Sequence, residues 1–448
     1  MSTDDAPVAE RRPEALEATN TLFSTRPGAV GIPPQHYGNP LGEQRALAAG
    51  AAIVDLSDRA VITVTGPDRL TWLDSLTSQA LTKLQPGDSA ETLLLDPTGR
   101  LEHAIRVIDD GVTTWLLVDG PEGAPLAAWL DRMRFMLRVE IADRSVDFAT
   151  VGTLALLASR ASASAGPVAE ALEANPTSAA PVAEALEAAA ARPNSIPLIW
   201  RDPWTDVTAG GHQYARAAEH PAAGWTYAEV LVDRADAAAV ASLAELPAAG
   251  TLALDALRIA AWRPKLATEG DEKSIPHELD WLRSAVHLNK GCYRGQETVA
   301  KVHNLGHPPR RLVMLHLDGS DGVLPQPGDA LLAPVASSAS ANADPVAEAL
   351  EAPDAEPRPV GRITSAALHY ELGPIALAVI KRTVDPALEL IVVSDGAAIA
   401  AAQEVIVPVD AGAEANVPRI PRLGAVKRPA RSAPEALEGP PAAPTPAP

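Results

Sequence analysis

Cysteine is almost missing from this chain: Cys292 is the only one in 448 residues. A single thiol excludes an intramolecular disulfide, fits a reducing compartment, and falls short of the thiolates an iron–sulfur cluster usually needs. Aromatic residues are scarce at 4%. No apolar run reaches the ~18 residues of a membrane span, and Met1–Glu10 has neither a basic nor an apolar leader segment. The expectation is a soluble, cytoplasmic protein with no membrane partner. Walker, G-x-G-x-x-G, H-E-x-x-H and G-x-S-x-G patterns are all lacking, which removes the common nucleotide, zincin and hydrolase readings. His303 and His307 are separated by Leu305-Gly306 and followed by two prolines, a poor frame for paired ligands; no metal site is expected.

Acidic charge and proline are abundant. The formal charge of −20 suggests a chain that repels nucleic acid, and direct DNA binding is not expected. Much of that charge has a local origin. The octet Pro-Val-Ala-Glu-Ala-Leu-Glu-Ala occurs at 167–174, 181–188 and 345–352, with a split copy at 7–18 and a truncated one at 433–439. Eleven glutamates sit in these copies, more than half of the net charge, so the charge says little about partners. Their irregular spacing excludes a solenoid, and eight residues are too few for an isolated helix. With flanks such as ASASAG, they read as disordered insertions at about 160–193 and 335–358.

The remaining chain is long enough for two or three domains. Residues 1–20 read as a disordered N-terminus. Helix patterns at about 41–50, 70–76, 125–135, 236–246 and 252–261 alternate with strand patterns at 52–56, 60–65, 91–95, 101–108, 113–118, 146–157 and 225–232. This mixture predicts an α+β region over 40–309. From 310 to 410 the texture changes to short strands broken by Gly and Pro, the pattern of a small β-barrel. Residues 411–448, rich in Pro and Ala, read as a disordered tail.

The densest chemistry is Lys290-Gly-Cys-Tyr-Arg-Gly-Gln-Glu297, where two glycines, two cations, a carboxylate, a phenol and the lone thiol share eight residues. Paired glycines disfavour helix and strand, so the octet predicts a shaped loop or a tight element start. It resembles the K-G-C-[FY]-x-G-Q-E element of the YgfZ-type branch of folate-binding relatives of the glycine-cleavage T protein, in the aminomethyltransferase family. Leu257-Arg258-Ile259, Pro276–Trp281, Val360–Ser365 and Gly373–Ala378 resemble further segments of that family in the same order. The resemblance spans about residues 40–410 outside the two insertions. It implies a tripartite T-protein-like folate-binding fold with a C-terminal β-barrel, and tetrahydrofolate as cofactor.

The amino-pyrimidinone edge of a reduced pterin donates two parallel hydrogen bonds, which a carboxylate in a dry pocket answers. Glu229, in an otherwise apolar strand, resembles the family's pterin-reading position, and Arg258 or Arg294 is a cation for the anionic tail. Lys290, Tyr293, Gln296 and Glu297 complete the expected binding set. Cys292 is the candidate functional thiol, between cations that favour a thiolate. Where the T protein carries an Asp pair after G-G, this chain has His103-Ala104. That puts aminomethyl transfer in doubt and leaves His103 as a candidate acid or base. The resemblance implies support of iron–sulfur cluster assembly or repair, with iron–sulfur enzymes, including tRNA-modifying ones, or assembly proteins as partners. A folate-dependent aminomethyl- or methyltransferase and a non-catalytic folate-sensing scaffold stay open beside it. Oligomeric state is not legible.

Overall fold

The structure is a computed structural model that describes residues 21–157, 176–320, 322–334 and 358–416. Ten strands precede the barrel: β1 (Ile53–Asp55), β2 (Ala60–Thr65), β3 (Ser89–Leu95), β4 (Leu101–Asp109), β5 (Thr113–Val118), β6 (Glu140–Asp143), β7 (Phe148–Thr153), β8 (Ile199–Arg201), β9 (Ala228–Asp233) and β10 (Ala248–Ala249). They form two five-stranded sheets, ordered β3-β4-β5-β2-β6 and β10-β1-β7-β9-β8. The helices are α1 (Pro40–Ala48), α2 (Arg69–Leu76), α3 (Gly123–Met133), α4 (Pro176–Ala189), α5 (Ala237–Ala244), α6 (Thr251–Ala260), α7 (Leu266–Glu269) and α8 (Gln296–Leu305).

Strand alternation builds three layers from this set. On β2, Ala60, Ile62 and Val64 face outward to a core shared with Trp72 and Leu73 of α2 and Leu126 and Leu130 of α3. On β9, Ala228, Val230 and Val232 face outward to Val182 and Leu186 of α4 and Leu243 of α5. The inner faces meet in the largest core, where Val61, Leu93 and Leu117 of one sheet join Val54, Trp200 and Leu231 of the other. Helix α6 belongs to this central core, with Ala253, Leu254, Ala256, Leu257 and Ile259 all buried.

The C-terminal strands β11 (Arg310–Leu317), β12 (Ala330–Ala333), β13 (Arg358–His369), β14 (Gly373–Lys381), β15 (Leu390–Ser394) and β16 (Ala397–Val405) close into a barrel in the order β11-β14-β13-β12-β15-β16. Val313, Leu315 and Leu317 point into the barrel, whereas Leu312 and Met314 point out into the central core. The sequence reading missed most of β16, whose Ala-rich start lacks a strand signature, and it missed the short strands β6 and β8. No helix among the described residues is long and apolar enough to cross a membrane.

Two expectations are corrected. The octet at 181–188 is not a disordered insertion: it lies in α4, with Val182 and Leu186 buried one helical turn apart. Its fellows at 7–18, 167–174, 345–352 and 433–439 lie outside the described residues. The tail does not begin at 411 either. The backbone amides of Ala413, Glu414 and Ala415 donate to the last carbonyls of α8, at Val302, His303 and Asn304. The Val302 carbonyl also accepts from the Gly306 amide at the helix end, and the passing chain supplies donors to the His303 and Asn304 carbonyls beyond it.

Candidate functional site

A cavity of about 320 Å³ opens between the two sheets, α6 and the segment Arg263–Ala267. Such a volume lies at the low end of the ~300–1,000 Å³ typical of small-molecule pockets. Its chemistry follows from strand phase. Glu91 on β3, and Ala104 and Arg106 on β4, occupy inner-face positions in register with apolar core residues. From the other side comes Tyr227, just before β9, with Glu229 on that strand two residues on and behind the wall. Trp225 and Trp281 add indole faces to the lining. Tilted Trp225 and Tyr227 rings lie 5.2 Å apart.

Two buried ion networks stiffen the walls. In the first, Arg263 donates to Glu91 at 2.6 Å and to Asp202 at 2.8 Å. Glu91 also accepts from the Trp281 indole (3.1 Å) and Ser284 (2.7 Å), and Asp202 from the Trp225 indole (2.8 Å). Burial works against the Arg263 charge, but Asp202 and Glu91 outweigh it and raise its pKa. In the second network, Glu229 Oε1 lies 2.7 Å from Arg59 Nη2 and 3.1 Å from Arg106 Nε, and it accepts from the Tyr227 hydroxyl at 2.9 Å. Arg59 also donates to Asp119 Oδ1. Burial pushes the Asp119 pKa up, yet Arg59 and Arg106 overcome it and hold the carboxyl at about 2.

The residues expected from sequence fall into three groups. Glu229 is fully buried on a central strand, beneath Arg59, Arg106 and Tyr227, and does not itself line the cavity. Arg258 does line it, but its guanidinium is engaged by Asp255 (2.6 Å), Glu269 (3.1 Å), Thr268 and Ser365. It ties α6 to α7 and to β13 of the barrel.

The octet forms a separate place. Lys290 Nζ, nearly buried, donates to the carbonyls of Asp74 (2.6 Å), Thr77 (2.9 Å) and Gln79 (2.7 Å), clamping the end of α2. Burial lowers its pKa against the pull of Asp74. Arg294 pairs with Glu102 at 2.5 and 3.2 Å and lies over Trp129. Gly295, at φ 82°, caps α8, where a side chain would meet the Asp96 carbonyl at 2.7 Å. Gln296 and Glu297 open that helix, and Glu297 is exposed. Tyr293 and Gln296 line a second cavity of about 250 Å³ with Asn289, His303 and Asn304. Cys292 is exposed and lines neither cavity. None of the eight residues lines the inter-sheet cavity.

His103 stands alone. It shares the outer face of β4 with Ile105 and Val107, and its Nδ1 is 3.0 Å from Oε2 of Glu122, a residue of the cavity wall. Its neighbour Ala104 takes the inward position.

Sequence reasoning overlooked Arg59, Glu91, Arg106, Asp119, Asp202, Arg263 and Lys265. A signal existed for two of them. Glu91 and Arg106 are charges placed in phase with the buried residues Leu93 and Ile108, where a solvated face would not put them.

No protein-family model matches this sequence, and no curated protein does. A solved structure, the glycine cleavage system aminomethyltransferase T from Bartonella henselae, matches at a TM-score of 0.59 with 16% identity, over 86% of this chain and 96% of that one. At that identity the likeness is one of fold: the chain is α+β, with a closed C-terminal barrel, and folds like a glycine-cleavage T protein.

Proposed function

We propose that this chain is a tetrahydrofolate-binding protein of the YgfZ type that supports iron–sulfur cluster assembly or repair in target enzymes, including tRNA-modifying ones. The observation that carries the folate reading is the inter-sheet cavity, which combines the aromatic faces of Trp225, Tyr227 and Trp281 with oriented carboxylates and guanidiniums. A flat, amide-rich heterocycle needs both. When bound, tetrahydrofolate carries or accepts a one-carbon unit. Trp225, Tyr227 and Trp281 would cover its ring, and the charged walls would orient it. The folate-binding region is taken as 40–309 and the barrel as 310–410, in the cytoplasm.

An aminomethyltransferase is the alternative suggested by the shared fold. It is disfavoured by Ala104, a methyl group in the cavity wall where the family pattern has a carboxylate. His103, on the opposite face, does not replace it. Exposed Cys292 suits a role toward a partner protein more than toward a ligand in this cavity.

Calorimetric titration with tetrahydrofolate tests the binding. Saturable, stoichiometric heat is expected, and its absence would remove all folate readings. Complementation of a strain lacking the gene then separates helper from transferase. Wild type should restore iron–sulfur enzyme activity and Cys292→Ser should not; aminomethyl turnover by the purified protein would favour the transferase.

A further inference from the structure

We propose that the second cavity, along helix α8, is a groove that binds an extended, uncharged peptide segment of a partner protein. It shares no lining residue with the inter-sheet cavity and does not depend on the folate reading. One wall is a single face of α8, where Gln296, Val299, Ala300, His303 and Asn304 recur at helical spacing. The facing wall is the main chain of Gly210-Gly211 with Leu288 and Asn289, and Tyr293 joins them. The Leu288 amide donates to the Gly210 carbonyl at 2.8 Å and pins that wall. A Cβ on Gly210 would meet the His287 ring at 2.5 Å, and one on Gly211 the Arg283 carbonyl at 2.7 Å, so bare backbone is required there.

No lining side chain carries a permanent charge. Burial, and then His212, lowers the His303 pKa, so that imidazole is neutral at pH 7 as well. The hydrogen-bonding groups are instead the carboxamides of Asn289, Gln296 and Asn304, whose side chains have no partner among the described residues. Tyr293 is only 8% exposed, and its hydroxyl has no partner there either. His303 Nδ1 lies 3.1 Å from the Tyr214 hydroxyl, which leaves Nε2 open. A carboxamide presents donor and acceptor side by side, the complement of one peptide unit. From Gln296 to Asn304 the helix rises about 12 Å, the reach of about four residues of extended chain.

Asn and Gln also read nucleobase edges, but those arrive with phosphates that need cations. Lys290 is engaged by three carbonyls, Arg294 by Glu102, and Lys301 lies outside the lining. Peptide amides bring no charge to neutralise. Exposed Cys292 directly precedes Tyr293, so a segment seated in the groove brings its protein up to that thiol.

The test is selection from a displayed random peptide library on the full chain. Enriched peptides are then titrated by fluorescence polarisation on wild type, on Ala300→Trp, which fills the groove, and on Asn304→Ala, which removes one exposed amide. The peptides should be poor in charged residues and should bind equally at about 0.05 and 0.5 M salt. Affinity should fall about tenfold or more on Ala300→Trp and about threefold or more on Asn304→Ala. The Asn304→Ala arm decides even if Ala300→Trp does not fold. No enrichment on wild type, undiminished affinity in the variants, or displacement of the peptides by a single-stranded RNA oligonucleotide would overturn the assignment.

Discussion

Lys290 and Cys292 are two residues apart and stand in opposite situations. The ammonium of Lys290 satisfies three main-chain carbonyls at the end of α2. Lys290→Met leaves those acceptors without a donor, and the expected cost is about 3 kcal/mol, since each bond to a charged group contributes ~1.5–3 kcal/mol and relaxation recovers part. Cys292 is exposed, so Cys292→Ser should change stability by less than about 0.5 kcal/mol. Urea denaturation of both variants checks the pair, and equal losses would show the octet to be one structural unit. The sequence made the octet conspicuous but did not divide it. Lys290 and Arg294 look equally available in the string, and only their partners, Asp74 and Glu102, show each to be engaged in structure.

Two buried groups near Tyr214 make pH dependence readable at the same scale. Burial lifts Asp280 to about 7, against two backbone amide donors, and burial lowers His277 to about 3. Between about pH 4 and 6.5 the native Asp280 binds a proton that the unfolded chain has released, so its contribution to stability falls as pH rises. The native His277 stays neutral where the unfolded chain protonates, so its contribution rises with pH. The two oppose each other across that window. Asp280→Asn should therefore make stability rise more steeply with pH than in wild type, and His277→Asn should make it rise less. Urea midpoints at pH 4.5 and 6.5 give both slopes.

Among the elements, α4 shows where local reading fails. Its sequence is one of several near-identical octets, and nothing within Pro-Val-Ala-Glu-Ala-Leu-Glu-Ala says that this copy packs. What distinguishes it is the outer face of β9, where Ala228, Val230 and Val232 need cover. Leu186→Ala should cost about 2–5 kcal/mol as a buried truncation, whereas Glu184→Ala should stay within about 0.5 kcal/mol. Comparable small effects for both would mean that the helix contributes little to the fold. By contrast, β2 and β5 were legible to the residue at both ends, because each is a short β-branched and apolar run buried almost throughout and bounded by turn residues such as Gly66, Gly111 and Asp119.

Across the whole molecule, the barrel is held to the body by charges as well as by apolar contact. Arg258 reaches Glu269 and Ser365, and Arg310 at the head of β11 pairs with Asp271 at 2.5 Å and Glu278 at 2.8 Å. Glu269 is fully buried, and Ser365 donates to it at 2.5 Å. Removing its charge leaves the Arg258 guanidinium without its buried counter-ion, a change that typically costs ~3–5 kcal/mol. Glu269→Gln should lower the thermal midpoint and expose the barrel to limited proteolysis before the rest of the chain. Uniform cleavage would place the weakness elsewhere.

The sequence by itself determined the class of fold, the barrel and most strand positions, because these depend on periodicities of two and 3.6 that a string displays. It also determined that one thiol sits among glycines. Tertiary structure alone decided which charges meet. Arg59, Asp119 and Glu229 come from loops and strands up to 170 positions apart, and no local pattern encodes their encounter. Burial set one oxygen of Glu229 against two arginines and left the other, Oε2, buried without a hydrogen-bond partner, because a carboxylate out of water must find cations nearby.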